Sequence, residues 1–273
     1  MGACGSGSPS GSASTTSTSA PSTTSTTSTT SPARQTSFSL YFVRGEVLGV
    51  SHRSVPATKA VARAALDALL AGPDALERSA GLGTAVPAGT SLLGLGIAGG
   101  VATVDLDRTF ESGGGSLSMT ERLAEVVYTV TQFPTVTAVR LELGGVPVTA
   151  LGGEGILVDH PVGRLDAAVI NVVPPILLES PAVGDRVNSP LHVTGMSNTF
   201  EATYNVQLVD ASGRTVVDSF GTATAGTGTW GTFDDTFPYS TTASGLGELR
   251  VFEVSAKDGS HINEVDLSLP VGH

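Results

Sequence analysis

The sequence predicts an α+β unit followed by an all-β sandwich, both behind a leader that does not fold. Three observations predict it. Residues 5–33 are mostly Ser and Thr with Gly and Pro, and the first charge is Arg34. Over residues 37–160, strand-type alternation and helix-type spacing interleave. Over residues 174–271, short alternating runs recur between turn signals and helical spacing disappears. The expected divisions are 1–36, 37–160, a linker or last packed segment at 161–173, and 174–271.

With 273 residues and a net charge of −11, the chain has room for two ordinary domains behind the leader. Charged residues are 14% of the whole, and Lys59 and Lys257 are the only lysines. A bias to Arg, Ala, Gly and Val is that of a GC-rich bacterial genome. So acidic a chain is repelled by phosphate backbones, and no basic patch offsets this, so nucleic acid is not an expected partner. Cys4 is the single cysteine, which leaves the folded part without disulfides, a thiolate nucleophile or thiolate metal ligands. No apolar run is long enough to span a bilayer.

The leader buries too little apolar surface to offset backbone entropy and is expected to stay disordered, with a reach of roughly 30 Å as a flexible coil. Ser/Thr/Pro tracts of this kind serve as stalks. Met1-Gly2-Ala3-Cys4 resembles the end of a bacterial lipobox, in which small residues precede a cysteine that becomes the lipidated N-terminus. Residues 1–36 thus read as a lipobox remnant and stalk, with Cys4 the expected lipid attachment site. A lipobox usually has Leu three residues before the cysteine, where this chain has Met1. A basic and apolar signal is expected upstream of Met1.

In the first folded part, FSLYFV (38–43) is an apolar strand. In TKAVARAALDALLAGP, Val61, Ala65, Ala68 and Leu69 share a helical face with Leu66 and Leu70 beside it; Gly72 and Pro73 end the helix. Two strands follow, with Leu93, Leu95 and Ile97 alternating, then Ala102, Val104 and Leu106. Gly99-Gly100 supplies the positive φ of a tight hairpin between them. SMTERLAEVVYTVTQFP predicts a helix with a Ser118/Glu121 capping box and a buried stripe of Leu123, Val126, Val127 and Val130, closed by Phe133 and Pro134. VTAVRLEL returns as a strand with Val139, Leu141 and Leu143 inward. The order β-α-β-β-α-β places helices on one face of a mainly antiparallel sheet.

These segments, with TAVPAGTSLLGLGIAGGVATVDLDRTF and RLAEVVYTVTQFPTVTAVRLELGGVPV, resemble the GerMN domain of bacterial sporulation and spore-germination proteins over nearly all of residues 38–150. The resemblance implies small units that assemble beside membranes, and no catalytic residue.

Beyond residue 174 the strands alternate through Leu191 and Val193, Val206 and Leu208, Phe252 and Val254, and Val265, Leu267 and Leu269. DASGR and KDGS mark turns, and some seven strands suit an immunoglobulin-like sandwich. The stretches ILLESPAVGDRVNSPLHVTGMSNTFEATYNVQLVDASGR, GTWGTFDDTFPY and EVDLSLP resemble the immunoglobulin-like module that follows GerMN in spore-germination proteins. Similar lipoproteins occur in non-sporulating actinobacteria, so the resemblance does not imply spores.

Several residue patterns invite a site. Gly94 to Gly99 fits G-x-G-x-x-G, but a strand follows where a dinucleotide site needs a helix, so the glycines read as strand and hairpin residues. Asp105 and Asp107 share a strand face without a third carboxylate and read as a strand-end turn. His52, His160, His192, His261 and His273 are scattered, none in a metal-type i, i+4 pair, and Asp159-His160 reads as a solvated loop. Glu46, Glu111, Glu154 and Glu179 are candidate acids for glycan hydrolysis, with no pair singled out. Trp230 suits a sandwich core better than a sugar platform. No catalytic residue, metal site or cofactor is assigned.

The expected function is that of a non-enzymatic, extracytoplasmic lipoprotein. It would bind partner proteins or wall polymer, with self-assembly through open sheet edges as a further expectation. The alternatives are a peptidoglycan-acting enzyme or its activator, which needs two acids in a cleft, and a small-ligand sensor for a membrane kinase, which needs a closed apolar pocket.

Overall fold

A computed structural model describes residues 1–2, 5, 7–8, 10–14, 34–153 and 155–272. Cys4, Glu154 and His273 therefore lie outside the described residues. The chain divides into two units, Met1–Ala33 and Arg34–His273. In the first unit the described residues are exposed and carry no secondary structure.

The second unit opens with an antiparallel hairpin, β1 (Gln35–Arg44) and β2 (Val47–Pro56). The glycine-tolerant turn at Gly45 makes it possible, with φ at +66°. Strand β2 is an addition to the predicted order: its polar residues, His52, Arg53 and Ser54, hide the alternation. Helix α1 (Val61–Leu70) buries Ala65, Leu66 and Leu69. Each buried leucine contributes about 1.5–3 kcal/mol. Gly72 ends it at φ +78° as predicted. A short helix α2 (Ala75–Ser79) follows, started by a capping box between Asp74 and Glu77.

Strands β3 (Leu92–Ala98), β4 (Val101–Leu106) and β5 (Ala138–Leu143) form a sheet in the order β3-β4-β5. The β3–β4 pair is antiparallel and turns at Gly99 and Gly100, whose φ values are +56° and +83°. Strands β4 and β5 are parallel, because helix α3 (Ser116–Thr131) crosses over between them. The β1–β2 hairpin is a separate sheet. Helices α1 and α3 pack on each other, and each touches both sheets.

Three local expectations need correction. Leu93 and Ile97 are 53% and 44% exposed, whereas Leu92 and Leu95 pack against the core; β3 is an edge strand with a register shift between Leu92 and Gly94 that interrupts its alternation. The Ser118/Glu121 capping box does not form: Gly115 is the N-cap, without a side-chain bond. Ser118 lies inside the helix, and its Oγ accepts from Arg122 Nη2 at 2.8 Å. The predicted stripe of α3 is buried, but so are Glu121, Arg122, Glu125 and Thr129, because the helix is enclosed on several sides.

Two small strands, β6 (Ala150–Leu151) and β7 (Ile156–Leu157), precede residues 161–173. That segment is packed: Val162 bridges to Val139, and Val169, Val172 and Val173 are buried. The sandwich then follows. Strands β8 (Ile176–Ser180), β9 (Leu191–Ser197) and β12 (Gly231–Phe237) form one sheet, in the order β12-β9-β8. Strands β10 (Thr203–Val209), β11 (Thr215–Thr222), β13 (Gly245–Val254) and β14 (His261–Val271) form the other, in the order β11-β10-β13-β14. Every ladder in both sheets is antiparallel.

Leu191, Val193, Val206, Leu208, Leu249, Val251, Leu267 and Leu269 fill the space between the sheets. Val254 is the exception to the predicted alternation at 44% exposed, because a register shift between Val251 and Glu253 changes the facing of the strand end. Gly195 is required by close approach: a Cβ there would overlap the Leu177 carbonyl and stand 2.6 Å from the Phe233 ring. Trp230 is half-buried against the core.

Candidate functional site

The site grows from the way β1 and β2 satisfy their outer edges. A two-stranded sheet leaves two rows of backbone groups without strand partners. On β1 the side chains of α3 replace a strand. The Gln132 amide accepts from the Ser39 N–H and donates to the Ser39 carbonyl, both at 2.7 Å. Thr129 Oγ1 accepts from the Tyr41 N–H at 3.3 Å. On β2, the His52 N–H donates to the Val183 carbonyl at 3.1 Å, and the Val183 N–H donates to the Val50 carbonyl at 3.3 Å. The segment after β8 thus closes β2, and the sandwich joins the α+β half.

Arg164 completes the junction. Its Nη1 donates to Glu179 Oε1 at 2.6 Å, its Nη2 to the Tyr41 hydroxyl at 2.8 Å, and its Nε to Thr131 Oγ1 at 3.0 Å. The guanidinium carbon lies 5.2 Å from the Tyr41 ring centre and 4.9 Å from that of Tyr128. Tyr41 also donates to Glu179, and Tyr128 donates to the Arg164 carbonyl at 2.7 Å. Burial, reinforced by Glu179, pushes the Tyr41 hydroxyl well above its ordinary pKa. Burial opposes the Arg164 charge, but Tyr41 and Glu179 outweigh it and raise its pKa. Arg164 is therefore a fixed cation, and Tyr41 a fixed donor.

This cluster forms the wall of a polar groove of about 480 Å³, which also includes Ser39, His52, Gln132, Ser180 and Thr194. Across Glu179 and Thr194 it continues into a second groove of about 460 Å³ lined by Thr222, Thr224, Thr232, Asp234 and Asp235. The surface is dense in hydroxyls and carboxylates. The enclosed apolar space nearby, between β2, β8 and β14, is only about 80 Å³, well below the volume of an ordinary ligand pocket.

Of the four acids the sequence offers, Glu154 lies outside the described residues, and of the other three only Glu179 lines this groove. It is engaged by Arg164 and Tyr41. Glu111 lines a different groove, with Arg108 and Gly152, and Glu46 lies in the β1–β2 turn. His52 Nδ1 meets Asp185 Oδ2 at 2.7 Å, which is how a catalytic base is oriented. Its neighbour across the hairpin is Ser39. Among the described residues no hydroxyl is hydrogen-bonded to His52, so a nucleophile–base pair is not assembled there. His160 bonds Asp159 and Asp166 at 2.8 and 2.7 Å in an exposed loop. His192 bonds Asp234 at 2.5 Å, and His261 stacks on Phe252.

The glycine and aspartate patterns are structural. Gly94 and Gly96 lie in β3, and Gly99 in the hairpin turn. Asp105 Oδ1 accepts from the Gly145 N–H at 2.9 Å, and Asp107 Oδ1 from the Thr109 N–H at 3.0 Å. No cluster of three or more metal-ligating side chains occurs among the described residues. No helix among them is long and apolar enough to cross a membrane.

Comparison with known families fits this two-part body. Residues 39–149 match the Germane family of sporulation and spore germination. Residues 175–260 match Gmad2, the immunoglobulin-like domain of bacterial spore germination. The chain carries a Germane domain followed by a Gmad2 domain. No curated protein matches it. Among solved structures, the tandem GerMN domains of the sporulation protein GerM from Bacillus subtilis are 16% identical, at a TM-score of 0.44. That alignment covers 76% of this chain and 62% of that one, so the chain spans less than two thirds of the structure it matches. The first GerMN domain of GerM is 19% identical at a TM-score of 0.39, over 48% of this chain and 99% of that one. A candidate lipoprotein from Clostridium perfringens is 20% identical at a TM-score of 0.37, over 51% and 93%.

The junction groove thus lies between the Germane and Gmad2 halves, and its central residue, Arg164, belongs to neither matched segment. Sequence reasoning missed Arg164, Tyr41, Gln132 and Asp185. The one available signal was Arg164, the single basic residue of the packed segment 161–173.

Proposed function

We propose that this Germane–Gmad2 protein is a non-enzymatic envelope lipoprotein that holds wall polymer at the outer face of the cytoplasmic membrane. Cys4 carries the lipid, the Ser/Thr-rich stalk gives reach, and the junction groove holds a polyhydroxylated ligand. The observation that carries this reading is the fusion of two germination-type domains around a groove lined by hydroxyls and carboxylates. Such groups exchange hydrogen bonds with water for hydrogen bonds with sugar hydroxyls at little net cost. The carboxylates would also favour amino groups on the polymer. Tethering converts weak groove contacts into effective retention by raising local concentration.

Cosedimentation of the purified chain with peptidoglycan sacculi tests it. The unaltered chain pellets with sacculi. Thr194→Arg, which puts a long side chain where the two grooves meet, reduces the pelleted fraction at least several-fold while keeping the same melting temperature. Failure of the unaltered chain to pellet, or equal pelleting of the variant, would overturn the reading.

A further inference from the structure

The two polar grooves at the junction share Glu179 and Thr194 and run on as one channel. The channel crosses the strands of the β12-β9-β8 sheet instead of following them. Val193 faces the sandwich core, so Thr194 faces away from it, on the channel side. Ser180, Thr194 and Asp234 are direct cross-strand partners on β8, β9 and β12. That row alone spans about 10 Å at the usual strand spacing. Ser39 and His52 of the β1–β2 hairpin extend the channel at one end. Thr222 and Thr224, at the end of β11 and just past it, extend it at the other. It therefore presents a side chain from each strand in turn.

The lining narrows what such a channel holds. Among the described residues the hydroxyls of Ser39, Ser180, Thr194 and Thr222 have no hydrogen-bond partner within the protein, and none is sealed from solvent. A hydroxyl donates and accepts at once, which suits a ligand of the same kind. The charges are already matched. Arg164 gives its N–H groups to Glu179, Tyr41 and Thr131. His52 is held by Asp185, Asp234 by His192, and Asp235 by the Tyr204 hydroxyl. This leaves no unmatched cation among the lining residues for a phosphate-bearing polymer. The main chain is engaged as well. Gln132 takes the Ser39 N–H and carbonyl, Val183 takes the His52 N–H, and Thr224 takes both groups of Thr232. A peptide would find main-chain partners only past Thr232, on the outer edge of β12, and not along the channel.

We propose that the channel holds a single glycan strand of the wall, several sugars long, and neither the wall peptides nor a phosphate-linked polymer. The strand lies across β8, β9 and β12, and its hydroxyl and amide groups bond to successive side chains. A neutral, hydroxyl-rich chain is the wall component whose groups repeat as the lining does. Each bond replaces one to water and is weak alone, so affinity comes from length. This inference rests on the wall-polymer reading and names the part of the polymer that is held.

The test adds soluble competitors to the cosedimentation of the full chain with sacculi. They are β-1,4-linked N-acetylglucosamine chains of two and six sugars, a free stem peptide and a wall teichoic acid. The six-sugar chain releases the protein at a concentration about 10-fold or more below that needed with two sugars, the gain from two further hydrogen bonds of ordinary strength. The peptide and the teichoic acid release none at the same concentrations. Ser39→Ala at one end of the channel and Thr222→Val at the other each weaken the six-sugar chain several-fold, and unchanged melting temperatures show that both variants fold. Absence of pelleting without competitor overturns the wall-polymer reading, and this inference with it. Pelleting reversed by the peptide or the teichoic acid but not by six sugars leaves that reading standing and overturns this one. Equal potency of two and six sugars, or unchanged six-sugar affinity in both variants, overturns it as well.

Discussion

Arg164 and Glu179 meet at 2.6 Å across the junction of the two halves. Glu179 belongs to the first strand of the sandwich, and Arg164 precedes it on a packed segment that also holds Tyr41 and Tyr128 of the α+β half. One ion pair therefore ties strand β1, helix α3 and strand β8 to a single guanidinium.

Removing that guanidinium strands Glu179 beside two buried tyrosines. Both partners of the pair are about three-quarters buried. Arg164→Ala should cost on the order of 2–4 kcal/mol, less than a fully buried pair because some solvent reaches it. Calorimetry should show one unfolding transition for the unaltered chain, and for the variant a lower transition that separates into two.

Gln132→Leu tests the substitution of a side chain for a strand. The leucine fills similar space but leaves both the Ser39 N–H and carbonyl without partners. A loss of about 1–3 kcal/mol in urea unfolding is expected. Gln132→Glu, which retains the acceptor but loses the donor, should fall between the two.

Glu125 gives the fold a pH dependence. Its carboxyl is fully buried, accepts from Thr84 Oγ1 at 2.6 Å and the Ala85 N–H at 2.7 Å, and is pushed by burial up to about 8. An unfolded glutamate titrates near 4.3. Between these values the folded chain holds a proton that the unfolded chain has released. Stability is fully present below about 4.3 and falls as pH rises toward 8. Glu125→Gln should remove this fall, worth on the order of several kcal/mol. Urea midpoints of the two chains at pH 5 and pH 8.5 measure the difference.

His160 should titrate on the opposite side of its ordinary value from a buried imidazole. Its bonds to Asp159 and then Asp166 raise its pKa. The charged form stabilises the loop fully below about 6.5, the unfolded value, and that contribution disappears as pH rises through the raised folded value. Proton NMR should give a midpoint above 6.5, and Asp166→Asn should lower it.

The architecture was legible where side chains follow the element's own period. Leu66 and Leu69 mark α1, Leu123 to Val130 mark α3, and Val206 and Leu208 mark a sandwich strand. The sequence was opaque where a polar residue is spent on another element's backbone. Strand β2 carries His52 and Arg53 because their side chains serve Asp185 and Glu77, so its alternation is interrupted. The junction was opaque for the same reason: Gln132 and Thr129 look like helix residues, and only their contact with β1 shows that they stand in for a strand. Cys4, by contrast, is a reading of the sequence alone.

That reading is tested most directly by intact-mass and N-terminal mass spectrometry of the protein purified from the membranes of its own cells. The expected species begins at Cys4, carries a diacylglyceryl thioether and partitions into detergent. A soluble species with residues 1–3 retained and a free Cys4 thiol would contradict it.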